Sequence, residues 1–255
     1  MKYTNQVWVD TLEDILELGD ECAPRGMRIR ECLGYQMRIN MNDPLITVTK
    51  RKMNYRFAFG EAWWILSGSN RVDDIAQFMK SYANYSDDGV TLSGAYGPRF
   101  ADQVTWVADQ IKADLDTRQA VINIWRDRPG PSKDVACTLS QQYLVRNGKL
   151  NAVATMRSND LFWGTCYDIF TFSMMAKMVQ THLRLRGVEV ALGELILNQG
   201  SAHIYERHWE QARDIISDPG PIEEDQVDID WIENQVFDHP RYLLGKLLDC
   251  ADQWK

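Results

Sequence analysis

Three side chains near the middle of the chain are of types that do covalent chemistry when they meet: Cys137, Arg157 and Asp168. Cys137 opens a stretch that reads as a strand, directly after the loop RDRPGPSKD (126–134), where a side chain can face a ligand. Arg157, Ser158, Asn159 and Asp160 follow at the far end of the paired strand. A cysteine attacks as thiolate, and a nearby guanidinium draws its pKa down from about 8.5 toward neutrality. The same guanidinium can hold a phosphate through two parallel hydrogen bonds. A free cysteine taken alone is more often a small buried hydrophobe, so its company decides. Asp168 stands among aromatic and apolar residues in DLFWGTCYDIF (160–170). Such an acid either caps a helix N-terminus, which the helix dipole favours, or meets a polar ligand.

The elements that must position these residues follow from periodicity. VDTLEDILELGDE (9–21) reads as an amphipathic helix, and CAPRGMRIRECLGYQMRINM as a basic turn leading into a strand. PLITVTK (44–50) alternates as a strand. YRFAFGEAWWILSG is an apolar helix that stops at Ser-Gly, and VDDIAQFMKSYANY a further helix. SDDGVTLSGAYGPRF is a glycine-rich loop, WVADQIKADLD a helix and QAVINIW a strand. Asn147-Gly148 joins CTLSQQYLVRNGK to LNAVATMRS as a hairpin. YDIFTFSMMAKMVQTHLRL is a deeply buried helix, GELILNQGSAHIY a strand then a turn, and ERHWEQARDIIS a helix. Helices interrupt strands without strict alternation, and hairpins are present. The fold class is therefore α+β with a mixed sheet, in one domain over residues 1–255.

Composition narrows the functional classes. Net charge is −8, with acid gathered in PIEEDQVDIDWIE (221–233), which disfavours a general nucleic-acid surface. That acidic run reads as a solvated segment. Five cysteines form no CxxC pair, and the four histidines form no HExxH, so reduced thiols and no metal are expected. No stretch approaches the roughly 20 apolar residues of a membrane span. The N-terminus lacks the features of a secretory signal, so a cytoplasmic location is expected.

Motifs in one consistent order carry a resemblance over roughly residues 20 to 215. They are GYQMRI, PLITVTKR, FGEAWWILSGSN, AYGPRF, TRQAVINIW, the CTLSQQY strand, MRSND and SAHIYERH. Together they resemble the thymidylate synthase superfamily, and most of all its phage deoxycytidylate hydroxymethylase branch. Beyond about residue 215 the resemblance fades.

The resemblance implies roles residue by residue. Cys137 falls on the nucleophile that adds to the pyrimidine 6-carbon, Arg157 and Ser158 on the phosphate-gripping pair, and Asp160 on an acid near the nucleotide. His203 and Tyr205 fall on the His-x-Tyr that touches the sugar hydroxyl, Glu61 on the proton-managing glutamate, and Tyr96 on an active-site tyrosine. Tyr82, Tyr85 and Trp64 fall where folate is contacted. Arg118 matches one of two adjacent arginines that reach a neighbouring subunit's phosphate, but the second is Gln119 here, so a homodimer with shared sites is implied with one donor missing. Arg25 takes the place of an N-terminal phosphate arginine, with Arg28 as the alternative.

Where the synthases carry an asparagine, this chain has Asp168. A carboxyl complements the amino group and ring nitrogen of cytosine better than the edge of uracil, which an amide matches. The resemblance thus implies deoxycytidylate and 5,10-methylenetetrahydrofolate as substrates, and hydroxymethylation in phage-type base modification. Tyr82 and Tyr85 stand where related synthases carry tryptophans, which favours water over hydride in the last step. A reductive methyltransferase, a hydroxymethylase of deoxyuridylate or cytidylate, and a catalytically silent nucleotide-binding relative stay as alternatives.

Overall fold

The computed structural model describes residues 3–220. The acidic run 221–233, His239 and Cys250 lie outside the described residues. The chain enters through helix α1 (Thr4–Leu18) and a short strand β1 (Asp20–Cys22) before the long strand β2 (Ile29–Asn40). Helices α2 (Tyr55–Leu66), α3 (Val72–Ala76) and α4 (Gly97–Ala113) follow, then strand β3 (Val121–Asn123). The hairpin β4 (Thr138–Arg146) and β5 (Lys149–Met156), the short β6 (Asn159–Asp160) and helix α5 (Thr165–Arg184) carry the sequence motifs. Strand β7 (Ala191–Tyr205) and helix α6 (Trp209–Ser217) complete the described chain.

The sheet runs β1-β2-β7-β5-β4-β3, with β6 also on β7. Strand β7 pairs parallel with β5 and β6 and antiparallel with β2, so the sheet is mixed, as the sequence implies. Asn147 and Gly148 both take positive φ, 53° and 71°, the geometry a two-residue hairpin turn requires. Helix α5 is buried along most of its length between the sheet and helices α2 and α4. Helix α1 sinks Trp8, Leu12 and Ile15 into the same core, and burying each large side chain contributes about 1.5–3 kcal/mol. The Trp8 indole donates to the Leu161 carbonyl at 2.8 Å, fastening α1 to the segment between β6 and α5.

Three sequence expectations are corrected. PLITVTK is irregular backbone ending in a 3-10 turn (Thr49–Arg51), not a strand. Asn5 exchanges hydrogen bonds with the Thr47 amide and hydroxyl at 2.8 and 2.7 Å, and the Tyr55 hydroxyl donates to the Ile46 carbonyl, so side chains bond groups a ladder would use. VDDIAQFMKSYANY breaks into α3 and a 3-10 segment (Lys80–Tyr85). The break lets the Phe78 ring lie on Gly60 of α2, where a Cβ would meet it at 2.4 Å. GELILNQGSAHIY does not turn: β7 runs unbroken to Tyr205. Gly200 serves close approach instead, since a Cβ there would stand 2.7 Å from the Arg157 carbonyl oxygen.

Candidate active site

Cys137 lies immediately before β4, half-buried, and its backbone carbonyl accepts from the Arg157 amide at 2.9 Å. The Arg157 guanidinium reaches back across that connection. It donates from Nε to the Ala136 carbonyl and from Nη2 to the Val135 carbonyl, both at 3.0 Å. Nη2 also stands 3.6 Å from the Cys137 Sγ, and Nη1 donates to the Ser158 Oγ at 3.3 Å. The Ser158 hydroxyl is 3.9 Å from the same sulfur. Arginine, serine and thiol therefore form one cluster. The expected drop in the thiol pKa does not follow: burial pushes Cys137 above its usual value, Arg157 opposes this, and the negative charge of Asp168 adds to the rise.

Tyr96 and Asp168 interact with the thiol, and Glu61 and Tyr82 interact with them in turn. Glu61 projects from the middle of α2 and accepts a short hydrogen bond from the Tyr82 hydroxyl. Burial pushes the Glu61 carboxyl up to about 7, against the opposing pull of that bond. Tyr96, at the start of α4, is held well above the usual tyrosine range by burial first, then by the charges of Asp168 and Cys137. Asp168 occupies the first turn of α5, where the helix dipole favours an acid, and the N-cap residue is Gly164. Burial raises its carboxyl well above the ordinary value, the neighbouring Glu61 charge raises it further, and the approach of the Asn159 amide opposes both. Two half-buried carboxyls that interact cannot both ionise cheaply.

The residues on β6 and β7 are brought to the same edge by register, with Asp160 opposite His203. The Leu161 amide donates to the His203 carbonyl at 2.8 Å. His203 is buried, its ring edge-on to Tyr205 at 5.2 Å between centroids. Asp160 Oδ1 accepts from the Phe162 and Trp163 amides at 2.9 and 3.3 Å, so this acid braces the turn into α5.

The aromatic trio also meets. Tyr82 packs edge-on against Trp64 at 6.2 Å and Tyr85 at 6.0 Å, and Tyr85 stays 52% exposed. The Trp64 Nε1 makes no hydrogen bond among the described residues. Tyr85 offers an exposed ring of the kind a flat heterocycle stacks on, whereas Trp64 and its Nε1 are buried in the core. The N-terminal arginines separate. Arg28 is tied to Glu21 at 2.8 Å and to Glu206, and lies over the Trp209 ring. Arg25 sits exposed at a turn with φ 54° and makes no side-chain bond among the described residues. Arg118, on the loop between α4 and β3, is exposed and linked to none of the clustered residues.

Comparison with known proteins bears on this geometry. The family model "Thymidylate synthase" matches residues 6–240. The chain belongs to the thymidylate synthase family. The match extends past residue 215, where sequence motifs alone gave no resemblance. The chain is also 34% identical over 223 residues to the deoxyuridylate hydroxymethyltransferase of Bacillus phage SP01, with 78% of the chain and 56% of that protein covered. The chain thus spans a little over half the length of this relative.

Three residues near the site were not singled out from sequence. Arg51, only 3% exposed, donates from Nε to the Phe162 carbonyl at 2.8 Å and faces the rings of Phe162, Trp163 and Tyr167 at 4.9 to 5.8 Å. Its place within Lys50-Arg51-Lys52 reads as surface, and no sequence signal marks it as buried. Asn159 and Gln199 are also buried polar residues. Their signal was a polar residue at a core-facing strand position.

Proposed function

We propose that this chain is a folate-dependent hydroxymethyltransferase of a pyrimidine nucleotide, and that the nucleotide is deoxycytidylate. The observation that carries the reading is the interaction of Tyr96 and Asp168 with the half-buried Cys137 thiol, and of Glu61 with both. Arg157 and Ser158 hold the phosphate, with Arg25 closing from its exposed turn. His203 and Tyr205 meet the sugar, and Asp160 keeps the turn between them and α5 in shape. Cys137 adds to the 6-carbon of the ring, which makes the 5-carbon nucleophilic. Methylenetetrahydrofolate supplies the one-carbon unit, with Tyr82 and Tyr85 as the residues that would hold it and Trp64 packed against Tyr82.

Asp168 supports cytosine as the base. Burial raises its pKa, which favours the protonated carboxyl. A protonated carboxyl donates to the ring nitrogen while its other oxygen accepts from the amino group. Electron density pushed toward that nitrogen in the adduct is then met by a donor already in place. Glu61 takes the proton from the 5-carbon and, with the Tyr82 hydroxyl beside it, orients the water that completes the product. The balance is deoxycytidylate, methylenetetrahydrofolate and water giving 5-hydroxymethyldeoxycytidylate and tetrahydrofolate.

The name of the phage SP01 relative favours a second reading, deoxyuridylate as the substrate. Product mass separates the possibilities. Turnover of deoxycytidylate with methylenetetrahydrofolate is expected to add CH2O. Addition of CH2 with dihydrofolate absorbance would make the enzyme a reductive methyltransferase, and turnover confined to deoxyuridylate would overturn the base assignment.

A further inference from the structure

Behind Asp168 lies a row of side chains that the proposed reaction does not use. Strand register sets Thr138 of β4 opposite Met156 of β5, and Met156 opposite Gln199 of β7. All three are buried, and Gln199 is only 1% exposed. Neither Nε2 nor Oε1 of Gln199 makes a hydrogen bond among the described residues. An amide removed from water without a partner costs about 1–3 kcal/mol. Two and four positions earlier on the same strand stand Leu197 and Leu195, both fully buried. A glutamine in this series calls for a polar occupant beside it.

Neighbouring groups locate that occupant. The Asn159 Nδ2 donates to the Met156 Sδ at 3.1 Å, although a thioether is a weak acceptor. The Asn159 Oδ1 and the Asp168 Oδ2 both border Gly164, at 2.6 and 3.4 Å from where a Cβ would stand. The Asn159 side chain is within hydrogen-bonding reach of the Asp168 carboxyl. On the other side of Met156, the Thr138 hydroxyl lies beside that of Tyr96 without a bond at full bonding distance. Gln199 and Thr138 thus flank Met156, and Met156 touches the amide that reaches Asp168.

We infer that Gln199 is a positioning residue for base recognition: it holds a buried water against Asn159, which fixes how Asn159 presents Asp168 to the pyrimidine edge. A buried water needs two to four polar partners, and the Gln199 and Asn159 amides supply them. The inference rests on Asp168 reading the base.

Replacing the amide by an apolar chain of similar length tests it. In Gln199→Met, kcat/KM for deoxycytidylate relative to deoxyuridylate is expected to fall about tenfold, while Tm changes little because a side chain of similar volume fills the same space. Gln199→Leu is expected to move the same ratio in the same direction, and serves if Gln199→Met does not fold. An unchanged ratio overturns the inference, and a lowered Tm with an unchanged ratio assigns Gln199 to packing. Asp168→Asn is measured alongside. If Asp168→Asn moves the ratio and neither other variant does, the water route alone is wrong. If Asp168→Asn leaves it unmoved, the base reading itself fails, and a shift in Gln199→Met would then run by some route other than Asp168.

Discussion

In the proposed reaction a single carboxyl, Asp168, carries the assignment of the base, and a second, Glu61, carries the proton traffic. Exchanging Asp168 for asparagine should move preference from deoxycytidylate toward deoxyuridylate by one or more orders of magnitude, since a site built on hydrogen bonds discriminates strongly. Competition between the two nucleotides in one assay measures this, and an unchanged ratio rejects the assignment. Glu61 predicts a pH dependence. Its pKa is about 7 in the folded chain against an ordinary 4.5, so the folded state binds this proton more tightly than the unfolded state does. That contribution to stability is full below the unfolded value and is lost as pH rises through about 7. Glu61→Gln should therefore gain on the order of 2 kcal/mol relative to wild type between pH 5 and pH 8, read from denaturation midpoints. The same variant should lose the inflection near neutrality in its residual rate. At this scale the sequence was most legible where residue types are unusual for their surroundings, as at Cys137 and Asp168. It was least legible for Arg51, because a cation between two lysines gives no sign that rings will close over it.

Elements set the distances between those residues, and periodicity foretold most of them. The hairpin was readable because Asn-Gly has a specific backbone preference, and α5 because a long apolar run admits few alternatives. The strand expected at PLITVTK failed because alternation describes side chains, while Asn5, far away in the chain, decides where the backbone groups bond. Helix α1 shows what such distant ties do. Trp8 both fills the core and holds the Leu161 carbonyl, whose residue in turn bonds His203. Trp8→Ala is expected to lower stability by about 3–5 kcal/mol. Trp8→Phe, which keeps much of the packing but frees the carbonyl, should cost about 1–3 kcal/mol. Urea denaturation distinguishes the two. Equal losses would assign the whole effect to the hydrogen bond, and no loss in Trp8→Phe would mean that the bond contributes nothing.

Across the whole molecule, the family and its mixed sheet were legible because eight motifs fall in one order, each tied to a different element. What one chain does to another was not, because a surface arginine looks the same whether it meets water or a partner. Arg118 is exposed and apart from the clustered thiol. If it serves a neighbouring subunit, mixing Cys137→Ser and Arg118→Ala subunits should restore about a quarter of wild-type activity through random pairing into two-fold dimers. No recovery on mixing would count against shared sites.

The clasp of Arg157 on its own lead-in has a consequence for how tightly nucleotide is held. Four of the five guanidinium N–H groups already point at Val135, Ala136, Cys137 and Ser158. The side chain is therefore frozen before any anion arrives, so up to about 2 kcal/mol of rotamer freedom is lost during folding rather than at capture, and one N–H is left for phosphate unless Ser158 or the sulfur gives up its contact. A lysine there would carry the same charge on a swinging tether and would leave two carbonyls beside the thiol without donors. Its defect would show in the poise of the sulfur as much as in the grip on phosphate.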